Sequence, residues 1–303
     1  MSQTLNAMRT PDSRFQNLPG FAFAPHYQEK LPGFSGLRMH HLDINPGGGA
    51  AHTFLCLHGE PSWSYLYRKM IPVFAADGSR VVAPDLFGFG RSDKPVDDAV
   101  YGFHFHRNSL LRFIERMDLR NITLVVQDWG GLLGLTLPME MPERFKRLIV
   151  MNTTIATGET PGPGFEAWKA FAKANPDMDV GALMKRATPI LSDAEVAAYN
   201  APFPDVRYKA GVRRFPQMVM VSPEMEGVDV SRQAATWFST QWSGPTFMAV
   251  GMKDPVLGPD VMARLRQTIR GCPAPLEIAD GGHFVQEWGE EIARAAVAAF
   301  GRS

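Results

Sequence analysis

One aspartate stands where a short apolar run meets a pair of glycines, in the segment VVQDWGG at 125–131. This pattern predicts a buried strand, a tight turn at Asp128, and a helix whose first N–H groups stabilise an anion. A free aspartic acid has a pKa of about 3.9, so Asp128 is ionised at neutral pH and can form an ester with a saturated carbon. Trp129 adds an indole N–H that only donates. We interpret Asp128 as a nucleophile and Trp129 as a donor to an anionic leaving group; the alternative is an ordinary helix N-cap.

A histidine near the end of the chain supplies the base that such an ester requires. His283 follows the last strand-like run and a turn at 280–282. Water must break the ester, and imidazole has the near-neutral pKa that activates water. Asp254 would hold the imidazole in one tautomer. Asp280, three residues before His283, is the alternative partner.

The elements that position these residues alternate as strands and helices, which predicts a mostly parallel sheet flanked by helices. Open parallel sheets place their sites at the carboxyl ends of strands, where Glu60, Asp128, Asp254 and His283 all fall. The backbone N–H groups of Glu60 and Trp129 would form an oxyanion hole for ester hydrolysis, and the role of the Glu60 side chain stays open. Strands are expected at 37–44, 53–57, 80–84, 122–126, 147–151, 246–250 and 276–279, helices at 108–117, 130–141 and 292–300, and a turn at 47–49.

The pattern changes in the middle of the chain. From 154 to 230 the β-branched runs stop, Gly and Pro cluster at 158–164, and short helical segments follow. We predict a helical cap at 154–230 inserted between a first core segment at 1–153 and a second at 231–303.

Composition limits the partners. Among 303 residues, Lys+Arg and Asp+Glu both number 31, which argues against nucleic acid or an acidic membrane as a partner. No run approaches the roughly 18 apolar residues of a membrane span, and no signal-peptide pattern precedes the core, so we expect a cytoplasmic protein. We also expect a monomer. Two cysteines do not suggest a disulfide framework. His104 and His106 do not share a helix face, and neither a metal nor an organic cofactor is expected.

Several motifs together resemble the haloalkane dehalogenases of the α/β-hydrolase superfamily. They are HGEP at 58–61, DLFGFGRS at 85–92, QDWG at 127–130 and GHF at 282–284, and the resemblance extends from about residue 9 to 300. The position of the acid at Asp254, with no carboxylate at 152–153, resembles subfamily I, as do APFPD at 201–205 and FP at 215–216 in the cap.

The resemblance implies an α/β-hydrolase fold and a reaction in which a haloalkane and water give an alcohol, halide and a proton. It implies that Trp168 of the cap binds halide together with Trp129. It also implies an apolar pocket lined by Phe165, Phe215, Pro216, Val219, Val256 and Leu257. Two alternatives stay open: an epoxide hydrolase, with Tyr199 or Tyr208 as the acid, and a ligand-binding protein without catalysis.

Overall fold

The computed structural model describes residues 5–46, 52–76 and 78–301, and within them ten strands form two sheets. The turn predicted at 47–49 lies outside the described residues. The strands are β1 (Ala7–Met8), β2 (His26–Gln28), β3 (Met39–Ile44), β4 (Thr53–Leu57), β5 (Arg80–Pro84), β6 (Lys94–Pro95), β7 (Ile122–Gln127), β8 (Phe145–Met151), β9 (Thr246–Gly251) and β10 (Leu276–Ile278).

The main sheet has eight strands in the order β10-β9-β8-β7-β4-β5-β3-β2. The strands from β10 to β5 run parallel, whereas β3 is antiparallel to both β5 and β2. All six residues of β7 are buried, as expected for a parallel strand with helices on both faces. Strands β1 and β6 form a separate antiparallel pair. The predicted mostly parallel sheet is therefore confirmed.

The helices cover the sheet and build the cap. Helix α3 ends at Gly134, earlier than predicted, because Pro138 lacks an N–H and its ring clashes with the carbonyl four residues before it. The helices are α1 (Ile71–Ala75), α2 (Phe103–Arg116), α3 (Trp129–Gly134), α4 (Pro163–Ala174), α5 (Val180–Ala187), α6 (Asp193–Asn200), α7 (Ala210–Met218), α8 (Val228–Thr240), α9 (Pro259–Thr268) and α10 (Gly289–Phe300).

The segment between β8 and β9, which lies within the described residues, contains helices joined by turns and loops, and no strand. It holds α4 to α8, with α5 packed on α6 and α4 packed on α7. The expected cap boundary at 230 lies inside α8, which packs against α9 of the second core segment. A cap that ends before Val228 therefore fits the elements better, and the boundaries themselves stay predictions.

Two further features concern the chain as a whole. Cys56 is buried and Cys272 is half-buried, and both are free thiols. Among the helices of the described residues, none has both the length and the apolar character needed to cross a membrane.

Candidate active site

The turn between β7 and α3 holds Asp128 in an unusual backbone conformation. Its φ is 50° and its ψ is −127°, a region that residues other than glycine rarely adopt. The two following glycines allow the chain to turn here. A Cβ atom on Gly130 would lie 1.9 Å from the Leu57 carbonyl oxygen, and one on Gly131 would lie 2.0 Å from Thr153 Oγ1. Close packing at the end of the sheet thus holds the Asp128 side chain at the carboxyl edge.

The two oxygens of the Asp128 carboxylate have different surroundings. Oδ1 accepts a hydrogen bond of 2.7 Å from the Glu60 backbone N–H. Oδ2 lies 3.5 Å from His283 Nε2. Within the described residues, no hydrogen bond joins the Trp129 backbone N–H to this carboxylate. Oδ2 is therefore the oxygen that is less constrained by donors and better placed to react.

His283 is paired with Asp254 rather than with Asp280. Its Nδ1 lies 2.8 Å from Asp254 Oδ2. Asp254 is buried, and its Oδ1 accepts from the backbone N–H groups of Val256 and Leu257 at 2.8 and 3.1 Å. Asp280 is exposed and pairs with Lys253. His283 thus lies between the two carboxylates, with Nε2 facing Asp128 and Nδ1 facing Asp254.

Electrostatics favour an imidazolium between two carboxylates. Burial by itself lowers the pKa of His283, but the negative charges of Asp254 and Asp128 and their hydrogen bonds raise it well above its usual value. Burial by itself raises the pKa of Asp254, but attraction to His283 and three hydrogen bonds lower it. Both charges of the pair are therefore present at neutral pH.

A cavity of about 550 Å³ lies between the sheet edge and the cap. Asp128, His283 and Glu60 form part of its wall, together with both expected halide-binding tryptophans, Trp129 and Trp168. Most of the remaining wall is apolar, as is usual for sites that take small organic molecules. Of the six pocket residues that the resemblance implies, five line the cavity: Phe165, Pro216, Val219, Val256 and Leu257.

Phe215 is the exception, and its predicted place in the pocket is corrected. It is fully buried and packs edge-on against Trp129, with 4.8 Å between ring centroids. Its other aromatic neighbours are Phe89 and His106. Pro216 in the last turn of α7 and Val219 directly after the helix both line the cavity. Phe215 instead packs against the indole of Trp129 and does not line the cavity.

The two cavity tryptophans differ from Trp63 and Trp242 in their hydrogen bonding. Trp63 donates its indole N–H to the Ala198 carbonyl, and Trp242 donates to Thr246 Oγ1. Neither Trp129 nor Trp168 donates its indole N–H to any described residue. Two indole donors on the cavity wall are thus left for a ligand.

The cap tyrosines are placed away from the cavity. The Tyr199 hydroxyl is buried and donates to Glu287 Oε1, next to Arg68. Tyr208 is buried in a short 3-10 helix. Among the described residues, no tyrosine lines the cavity.

Sequence reasoning missed two residues that hold the catalytic side chains. Asn152 donates its side-chain amide to Asp254 Oδ2 at 3.0 Å. Gln127 donates to the His283 carbonyl oxygen at 3.0 Å. Both residues lie at the carboxyl ends of parallel strands, and this position could have marked them in the sequence as residues of the site. The missed lining residues include Leu132, Thr154, Phe171, Leu183, Arg186, Lys253 and Phe284.

Over the described ranges, no group of three or more His, Cys, Asp or Glu side chains is arranged to hold a metal ion. His106 is fully buried among aromatic rings, and burial lowers its pKa to about 3. It therefore packs as a neutral ring.

Comparison with known proteins fits this geometry. Residues 52–290 match the family model of the alpha/beta hydrolase fold, which confirms the predicted fold. A haloalkane dehalogenase from Psychrobacter cryohalolentis is 45% identical over 300 residues, covering 97% of this chain and 97% of that protein. The chain belongs to the haloalkane dehalogenase family.

Other members of the haloalkane dehalogenase family are similar along their whole length. One from Mycolicibacterium paratuberculosis is 40% identical over 288 residues, covering 93% of this chain and 94% of that protein. The structure of the haloalkane dehalogenase DpaA from Paraglaciecola agarilytica, described as tetrameric, superposes with a TM-score of 0.96 at 51% identity. That match covers 99% of this chain and 100% of the other chain.

Proposed function

We propose that this family member hydrolyses the carbon–halogen bond of short haloalkanes, giving an alcohol, halide and a proton. The observation that carries the proposal is the carboxylate of Asp128 at the turn between β7 and α3, whose Oδ2 faces His283 on the wall of a largely apolar cavity. A saturated halocarbon needs a nucleophile, an apolar pocket and donors for the leaving halide. The relatives named haloalkane dehalogenase support the same assignment.

In the first step Asp128 Oδ2 attacks the halogen-bearing carbon from the side opposite the halogen. A new carbon–oxygen bond forms as the carbon–halogen bond breaks, and the halogen leaves with the electron pair of that bond. The indole N–H groups of Trp129 and Trp168 would donate to the departing halide, because donors aimed at developing charge stabilise a transition state. The product is an alkyl ester of Asp128.

In the second step water hydrolyses that ester. His283 Nε2 takes a proton from water, the water oxygen bonds to Asp128 Cγ, and negative charge develops on Oδ1. The Glu60 backbone N–H, already 2.7 Å from Oδ1, stabilises that charge, and we assign the Trp129 backbone N–H as the second donor. The tetrahedral species collapses, the bond between Cγ and the alkoxy oxygen breaks, and the alcohol takes the proton from His283. The remaining proton of the water, now on the Asp128 carboxyl group, passes to His283 and restores the resting carboxylate and imidazolium.

Formation of the ester also prepares the base. Asp128 loses its negative charge when it becomes an ester, which removes one of the interactions that raise the pKa of His283. The imidazolium then gives up its proton more readily, and Asp254 keeps the neutral ring with its proton on Nδ1. Nε2 is thus available as a base in the second step.

The alternatives are less well supported. An epoxide hydrolase needs an acid for the epoxide oxygen, but Tyr199 is bonded to Glu287 and no tyrosine among the described residues lines the cavity. A binding protein without catalysis would have no need of a nucleophile, base and acid in hydrogen-bonding order.

The test is release of halide and protons from short bromo- and chloroalkanes, with an epoxide assayed in parallel. We expect halide release by the natural chain and none by Asp128→Ala. We expect His283→Phe to release one halide per chain and then retain the alkyl group as a mass increase. Epoxide opening without halide release, or full turnover by Asp128→Ala, would refute the proposal.

We also propose a cytoplasmic location and keep the monomer as a prediction. The tetramer described for DpaA belongs to that relative, and it makes the oligomeric state worth measuring. Light scattering on the purified chain decides between one subunit and four.

A further inference from the structure

The cavity wall contains one buried carboxyl group that the mechanism above does not use, the side chain of Glu60. The residue is only 5% exposed. Its Oε1 is buried and has no hydrogen-bond partner among the described residues. A buried polar atom without a partner is costly, so this one calls for an explanation.

Its position ties Glu60 to the reacting groups. The backbone N–H of the same residue already donates to Asp128 Oδ1, and Glu60 lines the cavity beside Asp128 and His283. The charges of both residues act on its carboxyl group. Glu60 therefore lies next to the carboxylate that becomes the ester, on the same cavity wall as the imidazole that activates water.

The Glu60 carboxyl group is held in its neutral form, which can make hydrogen bonds but is not a second nucleophile. Burial, and next the negative charge of Asp128, raise its pKa well above the usual value. A neutral carboxylic acid offers one O–H donor and a carbonyl acceptor. It can hold water without adding a negative charge beside the ester.

The water that attacks Asp128 Cγ has two O–H groups. One must point at His283 Nε2, and the other needs an acceptor, since enclosed waters make about three hydrogen bonds. Most of the cavity wall is apolar. Apart from Asp128 itself, the residues of the described wall that carry a side-chain oxygen are Glu60 and the half-buried Thr154.

We propose that the Glu60 side chain accepts a hydrogen bond from the hydrolytic water and orients it between His283 and the Asp128 ester. Glu60 is a positioning residue for the second step only, because the first step involves no water. The proposal rests on the proposed dehalogenase function and adds to it a division of labour. The Glu60 backbone N–H donates to the ester oxygen, and the Glu60 side chain accepts a hydrogen bond from the water.

The experiment separates the two chemical steps in Glu60→Leu and Glu60→Gln. Rapid-quench halide release from a short bromoalkane measures ester formation, and mass spectrometry of the quenched protein measures ester decay. We expect Glu60→Leu to form the ester at a rate within about threefold of the natural chain and to hydrolyse it about 10- to 100-fold more slowly. Glutamine keeps a neutral acceptor, so Glu60→Gln should recover hydrolysis to within about fivefold.

Thr154→Val is the matched comparison, because it removes the other lining oxygen. Normal ester decay in Glu60→Leu would overturn the proposal, as would slow decay in Thr154→Val alone. Equal slowing of both steps, or no recovery in Glu60→Gln, would show a structural effect and also overturn it. If Glu60→Leu does not fold, the unbranched Glu60→Met carries the same test. Absence of any halide release by the natural chain would instead refute the dehalogenase function itself.

Discussion

Asp254→Asn tests whether the proton position on His283 governs the second step. Oδ1 of Asp254 accepts two backbone N–H groups, from Val256 and Leu257, which only an oxygen can do. The asparagine oxygen must therefore stay at that position, and its NH2 group replaces Oδ2. It then faces His283 Nδ1 at a separation of 2.8 Å in the natural chain.

An NH2 group at that position reverses the imidazole tautomer. Nδ1 becomes the acceptor and the ring proton moves to Nε2, the nitrogen that has to take a proton from water. In hydrolase triads this reversal lowers turnover by about 10⁴-fold, or about 5.5 kcal/mol of transition-state free energy. The Asn152 amide also loses its acceptor at 3.0 Å but keeps the carbonyl oxygens of Gly251 and Leu257 at 3.2 Å, so we expect a loss of about 1 kcal/mol of folding stability.

The assay counts halide per protein chain by rapid quench and follows the ester by mass. We expect Asp254→Asn to release one halide per chain and then stall with the alkyl group attached. Asp280→Asn is the matched control, because Asp280 is exposed and pairs with Lys253 at the surface, and it should keep turnover within about threefold. Turnover of Asp254→Asn within tenfold of the natural chain, or an equal loss in Asp280→Asn, would refute the reasoning.

Three further predictions concern the halide donors, the nucleophile turn and pH. Trp168→Phe should weaken halide binding about tenfold or more, whereas Trp63→Phe, whose N–H is bonded to protein, should not; equal effects in a fluorescence titration would contradict this. Gly59→Ala should abolish ester formation, because its Cβ would lie 2.3 Å from Asp128 Oδ1, and halide release from that variant would show that the site relaxes. His283 has a raised pKa in the folded chain, so its contribution to stability is complete below the unfolded pKa of about 6.5 and is lost as pH rises through the folded value. The free energy of unfolding in urea should therefore change less with pH across that window for His283→Phe than for the natural chain. An identical dependence of this free energy on pH in both proteins would count against the ion pair.

Local patterns in the sequence determined most of the elements and their chemistry. The predicted strand at 53–57 coincides with β4, and that at 80–84 with β5, because a short apolar run between turns is typical of a buried strand. The motif around Asp128 predicted the turn, since only glycines tolerate the close approach to Leu57 and Thr153. The family followed from motifs of this kind, and the relatives confirm it.

Tertiary structure decided what depends on side-chain direction. Sequence left Asp254 and Asp280 as rival partners of His283, and only the fold buries one and exposes the other. It also turned Phe215 away from the cavity and bonded Tyr199 to Glu287. The order of residues along the chain shows which residues follow a strand. The direction of their side chains depends on packing between elements that are far apart in sequence. That packing sets the cavity, and with it the groups that can reach a substrate.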